Sequence, residues 1–305
     1  MDHPATTPRR SSELLGFAAD AKVLIVNCDD FGLDDGVNAA VVEAVERGIA
    51  GSCSVMPSAP AAAGALQLLR ERPELPFGVH LTMVCEAPRH PWGPLTAREL
   101  VPSLLDEAGE LFAPTPEGRA RLLARARTEE VEREFRAQID AVAGAGLHPT
   151  HLDFHCLADA GRGDLFELTL ALGAEYGLAV RVWLAPGLRT ARRRGLPVVD
   201  HPFLDSFALP VDDKPAHYAR LLAELPPGLS EWAVHPGRGD RSAGATAEDR
   251  RVRRSDYDFL TSPHARDLLD AHGVTVIDYR PLQARWPSAD ADRAAPPGIG
   301  GPRRT

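Results

Sequence analysis

The chain has 305 residues and a formal net charge of −9, with 44% hydrophobic and 25% charged residues. This composition is typical of a globular protein with one large α/β domain or two small ones. The negative charge argues against a protein that binds the phosphate backbone of nucleic acid. Arginines cluster at residues 192–194 and 250–254, and we interpret both clusters as solvated surface.

The predicted elements alternate between strands and helices. Residues 1–20 and 284–305 are predicted to be flexible tails, which leaves a single domain over residues 21–283. Strands are predicted at residues 23–26, 52–56, 77–82, 150–154, 179–183, 231–235 and 274–279. Helical patterns occur around residues 37–45, 61–70, 96–105, 117–143, 164–176, 214–224 and 262–271, and residues 184–213 look irregular.

This alternation predicts an α/β protein with mostly parallel strands. The number of strand and helix repeats favours a single-domain (β/α) barrel-like fold, related to the TIM barrel, over an open doubly wound sheet. No GxGxxG or Walker loop follows a predicted strand, so the sequence gives no support for nucleotide binding.

The sequence also bears on location. No apolar run approaches the length of a membrane span, and the N-terminal residues lack the apolar core of a signal peptide, so we expect a cytoplasmic protein. The four cysteines form no CxxC pair and lie in or beside apolar segments. They are therefore expected to be reduced and mostly buried.

The first predicted strand ends in acidic residues. Residues 23–26 read VLIV, which predicts a strand buried on both faces, and Asn27, Asp29 and Asp30 follow closely. Because α/β folds build their sites at the carboxyl ends of parallel strands, the two aspartates are candidates for chemistry. The alternative is that both are turn or helix-capping residues.

Histidines recur in three later strand-like segments. Residues two apart in a strand share a face, so His151, Asp153 and His155 point together. The same alternation turns His80 and His235 toward the barrel axis. Inward polar side chains are costly to bury without partners, and a divalent cation with an open position for water would explain all of them. The alternative is that each histidine is a hydrogen-bonded core residue.

Four motifs in order resemble those of the YdjC-like family, which includes chitooligosaccharide deacetylases. They are NCDDFG at residues 27–32, GVHL at 78–81, THLDFH at 150–155 and VHPG at 234–237. The resemblance extends from about residue 23 to residue 279. It implies a (β/α) barrel-like fold related to polysaccharide deacetylases, a bound divalent metal ion, and hydrolysis of an N-acetyl group on a sugar.

The resemblance also implies a role for each motif residue. It makes Asp29 the general base and places His235 near the leaving group, as the acid. The metal ligands that it implies are Asp30, His80 and His155. His151 shares a face with His155 and is the reserve ligand; otherwise it is expected to lie behind the ligands with Asp153.

Three positions depart from the family pattern. Phe154 stands where the family usually has serine, and Leu157 and Asp159 stand where further histidines are expected. These changes affect the expected substrate and efficiency more than the metal site. Arg181 lies in a segment that resembles one with a common family arginine, which makes it a candidate substrate-binding residue, although AVRVW is equally consistent with an ordinary strand.

The segment 83–94 is rich in Pro, His and Trp and has no periodicity, so it is predicted to be a loop over the end of the third strand. His90 and Trp92 make it a candidate sugar platform, because aromatic faces suit the apolar faces of sugars. The alternative is a loop anchored by one buried tryptophan.

These features predict a metal-dependent hydrolase that removes an N-acetyl group from an amino sugar or oligosaccharide. One alternative is a carbohydrate-binding protein that kept the metal site and lost turnover, and another is a different barrel metallohydrolase such as a phosphoesterase. The cofactor is expected to be one divalent ion: histidine ligands suit Zn²⁺, whereas family members are often described with Mg²⁺. The expected partner is an N-acetylated sugar or glycoside, without nucleic acid or membrane; a homodimer is left open.

Overall fold

A computed structural model describes residues 9–86, 92–238 and 246–287. The predicted sugar-binding His90 therefore lies outside the described residues, as do most of the predicted C-terminal tail and residues 1–8 of the predicted N-terminal tail. The bounds of the single domain remain a prediction, and so do the cytoplasmic location and the homodimer.

Parallel strands form one curled sheet, which confirms the barrel-like α/β fold. The strands are β1 Lys22–Phe31, β2 Ser52–Val55, β3 Phe77–Leu81, β4 His151–Phe154, β5 Ala179–Val180, β6 Leu204–Asp205, β7 Gly228–Val234 and β8 Val274–Ile277. Their order is β5-β4-β3-β2-β1-β7-β6. One edge of β1 has two partners. Its first residues pair with β8, and its later residues pair with β2. The carboxyl ends of the strands consequently meet at one end of the half-barrel.

Helices follow most of the strands, as the alternation predicts. They are α1 Ser11–Leu14, α2 Asp35–Glu46, α3 Ala62–Arg70, α4 Pro116–Arg125, α5 Thr128–Gly144, α6 Gly163–Tyr176, α7 Ala185–Arg193, α8 Lys214–Ala223, α9 Ala247–Leu260, α10 Pro263–His272 and α11 Arg280–Gln283. The apolar residues of β1 are completely buried, as expected for a central strand covered on both faces.

Some elements differ from the sequence-based expectation. The helix predicted over residues 117–143 is two helices, because Ala126 and Arg127 leave the helical region of φ and ψ. Residues 96–105 form only two 3₁₀ turns, with Pro102 starting the second. The irregular passage 184–213 contains α7 and β6, and α9 was not predicted.

The folded part of the chain also reaches into both predicted tails. Residues 11–14 form α1, where Ser12 is buried and the backbone N–H of Ser11 donates to Asp200 at 2.7 Å. At the other end, Trp286 is buried against the main core. Any flexible tails are therefore shorter than the predicted residues 1–20 and 284–305.

The described helices include none with the length and apolar character needed to span a bilayer. The cysteines are free thiols, of which Cys28, Cys53 and Cys85 are buried and Cys156 is partly exposed. Their burial agrees with the expectation of mostly buried cysteines.

Candidate active site and metal centre

A β-bulge at the end of β1 directs two consecutive carboxylates into one cavity. The register of β1 against β2 shifts between Cys28 and Phe31, so Asp29 and Asp30 lie in the irregularity. Asp30 has a φ of 66°, in the left-handed region that few residues other than glycine adopt. Consecutive side chains in a regular strand point to opposite faces, and the bulge removes that constraint. Both aspartates therefore line the same cavity.

Three side chains that the family resemblance implies as metal ligands come together beside this bulge. Asp30 Oδ1 lies 3.1 Å from His155 Nδ1 and 3.4 Å from His80 Nε2. One ligand atom from each residue lies within 4.8 Å of the others, and all three side chains are buried. Two imidazole nitrogens and one carboxylate oxygen make a donor set that fits a divalent cation, with positions left open for water and substrate.

Neighbouring charged groups together affect the pKa values of Asp30 and His80 more than burial does. Burial alone would raise the pKa of Asp30, but the guanidinium of Arg253 and hydrogen bonds from His155 and His80 hold it well below its ordinary value. Burial opposes a charged imidazole at His80, yet Asp153 and other aspartates raise the pKa of His80 to about 9. Asp153 Oδ1 lies 2.8 Å from His80 Nδ1, so this carboxylate also orients the ring and leaves Nε2 facing Asp30.

The other aspartate of the bulge is held by an arginine. Arg181 donates to both oxygens of Asp29, at 2.8 Å to Oδ2 and 2.9 Å to Oδ1, and Asn27 donates to Oδ1 at 2.8 Å. Arg181 also donates to Glu231 at 2.7 Å and lies 3.0 Å from Asp153. Because Arg181 is fully buried behind these carboxylates, this placement corrects the expectation that it binds substrate.

Glu231 belongs to the same buried network and was not predicted. It lies on β7, where alternate residues share a face, so its position four residues before His235 is the sequence signal that could have identified it. Tyr279 donates to Glu231 at 2.7 Å. Burial raises the pKa of Glu231 to about 7, although Arg181 and Tyr279 oppose the change.

His151 lies away from Asp30, His80 and His155, the three candidate metal ligands that we call the ligand cluster. Its ring stacks on Tyr279 with a centroid distance of 3.7 Å, and its Nε2 lies 3.8 Å from Asp153 Oδ2. Among the described residues it joins none of the groups that could hold a metal ion. Gly78 makes room for it, since a Cβ there would lie 2.5 Å from the imidazole. His151 therefore lies beside Asp153 and apart from the ligand cluster, and a role behind metal ligands stays a prediction.

His235 is held by a hydrogen-bonded chain to a buried carboxylate. Ser206 Oγ donates to Asp256 Oδ2 at 2.6 Å and lies 3.0 Å from His235 Nδ1. Since the hydroxyl hydrogen goes to Asp256, the hydroxyl oxygen accepts from Nδ1–H of His235. Asp256 also accepts from the backbone N–H of His235 at 2.8 Å and from the hydroxyl of Tyr218. His235 Nε2 then faces Asp29, with 4.0 Å between Nε2 and Oδ2.

An arginine from α9 contacts the same cluster, which corrects the interpretation of Arg253 as solvated surface, while Arg251 and Arg254 are exposed as expected. Arg253 is 3% exposed, and its Nη2 donates to Asp30 Oδ2 at 2.7 Å. The same atom lies 3.4 Å from Glu86 Oε2. No local sequence pattern indicates this role, because Arg253 and Asp30 are 223 positions apart.

A cavity of about 970 Å³ opens above these groups and contains aromatic walls. Trp92 lines it but is only 8% exposed, because its ring packs with Met56, Leu105 and Leu111 in a small separate core. Most of the Trp92 surface is therefore buried in this core, as the alternative of a loop anchored by one buried tryptophan expects. Trp183 is a further wall residue, stacked on Phe203 with a centroid distance of 3.7 Å.

Two of the three positions that depart from the family pattern, Leu157 and Asp159, have structural roles. Leu157 is buried in the main core. Asp159 accepts hydrogen bonds from the backbone N–H groups of Trp183 at 2.8 Å and Leu184 at 3.1 Å, at the start of α7. A carboxylate is well suited to the N-terminus of a helix, so Asp159 fixes the segment that carries the Trp183 wall.

Comparisons with known proteins identify a family that matches most of the chain. A family model described as YdjC-like protein matches residues 23–271. A carbohydrate deacetylase of Geobacillus stearothermophilus is 31% identical over 257 residues, which cover 84% of this chain and 96% of that protein. A carbohydrate deacetylase of Brevibacillus brevis is 37% identical over 269 residues, covering 85% and 99%.

The fold is also similar to a solved structure. A crystal structure from Enterococcus faecalis V583, described as that of a candidate cellobiose-phosphate cleavage protein, superposes with a TM-score of 0.74. Its sequence is 26% identical, and the match covers 86% of this chain and 99% of that one. The similarity thus includes nearly the whole of the other protein.

Proposed function

This chain belongs to the YdjC-like family, and from that membership we propose that it is a metal-dependent hydrolase that removes an N-acetyl group from an amino sugar or oligosaccharide. The observation that carries the proposal is the convergence of Asp30, His80 and His155 beside an aspartate held by Arg181. Two relatives named as carbohydrate deacetylases support the substrate class.

We assign one divalent ion to Asp30, His80 and His155. When bound, such an ion polarises the acyl oxygen and increases the acidity of water. The two imidazoles favour Zn²⁺ on ligand grounds, while Mg²⁺ prefers oxygen donors. Elemental analysis of the purified protein decides between them.

Asp29 is proposed as the general base. Its Oδ2 lies 4.0 Å from His80 Nε2, at the edge of the ligand cluster, and Arg181 holds the carboxylate in a fixed orientation. Water adds to the acyl carbon, the π electrons of the carbonyl bond move to the acyl oxygen, and the proton of the water passes to Asp29. Fixing the base in advance lowers the entropic cost of this step.

His235 is proposed as the general acid. The electrons on the acyl oxygen then reform the carbonyl bond, the carbon–nitrogen bond breaks with its electrons left on nitrogen, and His235 supplies a proton from Nε2 to that nitrogen. The products are an amine and acetic acid, which ionises to acetate. Ser206 holds Nδ1, so Nε2 is the nitrogen that faces the cavity. Asp256 stabilises the positive charge of this imidazole through the serine.

The test is acetate release from a panel of N-acetylated mono- and oligosaccharides, assayed with Mg²⁺, Zn²⁺ and Mn²⁺ added separately to metal-free protein. We expect release that depends on the ion and is abolished by a chelator. Phosphoesters in the same panel test the metallohydrolase alternative. Binding of sugars without acetate release under every condition would instead support the carbohydrate-binding alternative.

A further inference from the structure

Arg253 carries a buried hydrogen-bond donor that no described residue accepts from. The side chain lines the cavity and is 3% exposed, yet its Nη1 is buried and has no hydrogen-bond partner among the described residues. A buried guanidinium nitrogen without a partner is costly, so a group that binds in the cavity is the expected acceptor.

The surroundings fix this guanidinium in place. Nη2 is bound to Asp30 at 2.7 Å, and the ring of Phe207 lies 5.6 Å from the guanidinium carbon. Gly237, in the loop after His235, donates its N–H to the carbonyl of Arg253 at 3.0 Å. A Cβ at Gly237 would lie 3.1 Å from Arg253 Cβ and 3.4 Å from Cδ, so the glycine lets this loop lie directly on the arginine.

We propose that Arg253 Nη1 donates a hydrogen bond to the acyl oxygen of the substrate and stabilises the negative charge that develops there. The proposal rests on the proposed deacetylation. The guanidinium is a rigid planar fork, so the hydrogen bond from Nη2 to Asp30 also keeps Nη1 near this proposed metal ligand, where the acyl oxygen of a bound substrate would lie. Water addition moves the π electrons of the carbonyl bond to this oxygen while Asp29 takes the proton.

The charges around Arg253 favour an acceptor that becomes negative only during the reaction. Asp30 and Glu86 already occupy Nη2, at 2.7 and 3.4 Å, so the guanidinium has limited attraction left for a neutral carbonyl. Asp29, Asp34 and Asp205 also line the cavity, and they disfavour a substrate with a fixed negative charge. Arg253 should therefore act on kcat more than on KM, because its hydrogen bond strengthens in the transition state.

The central variant is Arg253→Lys, which keeps a positive charge that can reach Asp30 but removes the planar second donor. Relative to the parent at saturating metal, we expect kcat to fall about a hundredfold, the scale for loss of one donor to a developing oxyanion, with KM changed less than threefold. Metal content after dialysis should match the parent. Arg253→Gln is the second variant should lysine prevent folding, and Arg254→Lys, on the exposed side of the same helix, is the matched control.

A second measurement does not depend on turnover. Acetate binding to the metal-loaded parent and to Arg253→Lys is compared by calorimetric titration, because the acetate released by hydrolysis retains the acyl oxygen. We expect acetate binding at least tenfold weaker in the variant. An unchanged kcat together with unchanged acetate binding overturns the proposal, and so does a rise in KM alone, which would mean that Nη1 holds a sugar hydroxyl. If the parent hydrolyses no N-acetyl sugar, the proposed function fails, while the acetate titration still decides whether Nη1 binds an acyl oxygen.

Discussion

Arg181 binds both oxygens of Asp29, through Nη1 at 2.8 Å and Nη2 at 2.9 Å. This bidentate pair fixes the plane of the carboxylate, while Oδ2 also lies 4.0 Å from both His80 Nε2 and His235 Nε2. Asp29 is thus oriented toward the space between the ligand cluster and the proposed acid, although it is adjacent in sequence to a proposed ligand.

The first prediction separates the two aspartates of the bulge. Asp29→Asn should retain the metal ion and lose turnover by about a hundredfold or more, because only the base is removed. Asp30→Asn should weaken metal binding, because Asp30 supplies the carboxylate oxygen of the donor set. Equilibrium dialysis with elemental analysis, followed by steady-state acetate release, measures both effects. Loss of metal from Asp29→Asn with retention in Asp30→Asn would reverse the assignment.

The second prediction concerns the buried network below the site. Arg181→Met should lower the free energy of unfolding by about 3–5 kcal/mol, because Asp29, Asp153 and Glu231 then share the interior without their cation. Adding Glu231→Gln should recover part of the loss, since it removes one of these carboxylates. Urea unfolding of the metal-free proteins provides the measurement.

The control for this network is an arginine with a similar number of carboxylate partners on the surface. Arg136 contacts Glu132 and Glu175 and keeps 33% of its side chain exposed. Arg136→Met should cost no more than about 1 kcal/mol. If Arg181→Met also lowered the free energy of unfolding by no more than about 1 kcal/mol, the buried network would contribute little to stability.

The sequence predicted the features of the site that depend on local pattern. The buried run at residues 23–26 and the alternation of His151, Asp153 and His155 both follow from the two-residue period of a strand, which needs no knowledge of the fold. The prediction that the polar residues of different strands lie close together followed from the rule that the carboxyl ends of parallel strands meet at one end of a barrel.

The remaining site residues depend on contacts between distant parts of the chain. Arg253 sits among exposed arginines on α9, and only the tertiary fold brings it within 2.7 Å of Asp30. Ser206 lies in a short 3₁₀ turn with no periodic pattern. The bulge that brings Asp29 and Asp30 into one cavity also lacked a signal, because no glycine marks the left-handed residue.

The third prediction tests the chain from Asp256 to His235. Ser206→Ala should lower kcat about tenfold to a hundredfold with little change in KM, because the imidazole loses the group that orients it and Asp256 loses a donor. In a His235→Ala background the same change should have no further effect on kcat, since the serine acts through the histidine. Additive losses in the double variant would show that Ser206 acts independently of His235.

The last prediction concerns pH and the start of α7. Burial raises the pKa of Asp159 from 3.8 to about 6, although hydrogen bonds from the backbone N–H groups of Trp183 and Leu184 act in the opposite direction. The folded protein therefore holds this proton more tightly than the unfolded chain, so the stabilisation is complete below about pH 4 and is lost as the pH rises through 6. The loss attributable to this group is up to about 3 kcal/mol.

Asp159→Asn imitates the protonated side chain at every pH and should remove this dependence. We expect the difference in unfolding free energy, variant minus parent, to increase between pH 4 and pH 7.5, because only the parent must ionise a buried carboxyl in the folded state. Denaturant unfolding at a series of pH values measures the difference, and other titrating groups cancel because both proteins contain them. Asp267→Asn, at an exposed position on α10, is the matched control for the exchange of aspartate for asparagine. A difference for Asp159→Asn that stays constant or decreases would mean that the helix N-terminus and its two N–H donors stabilise the carboxylate more than burial disfavours it.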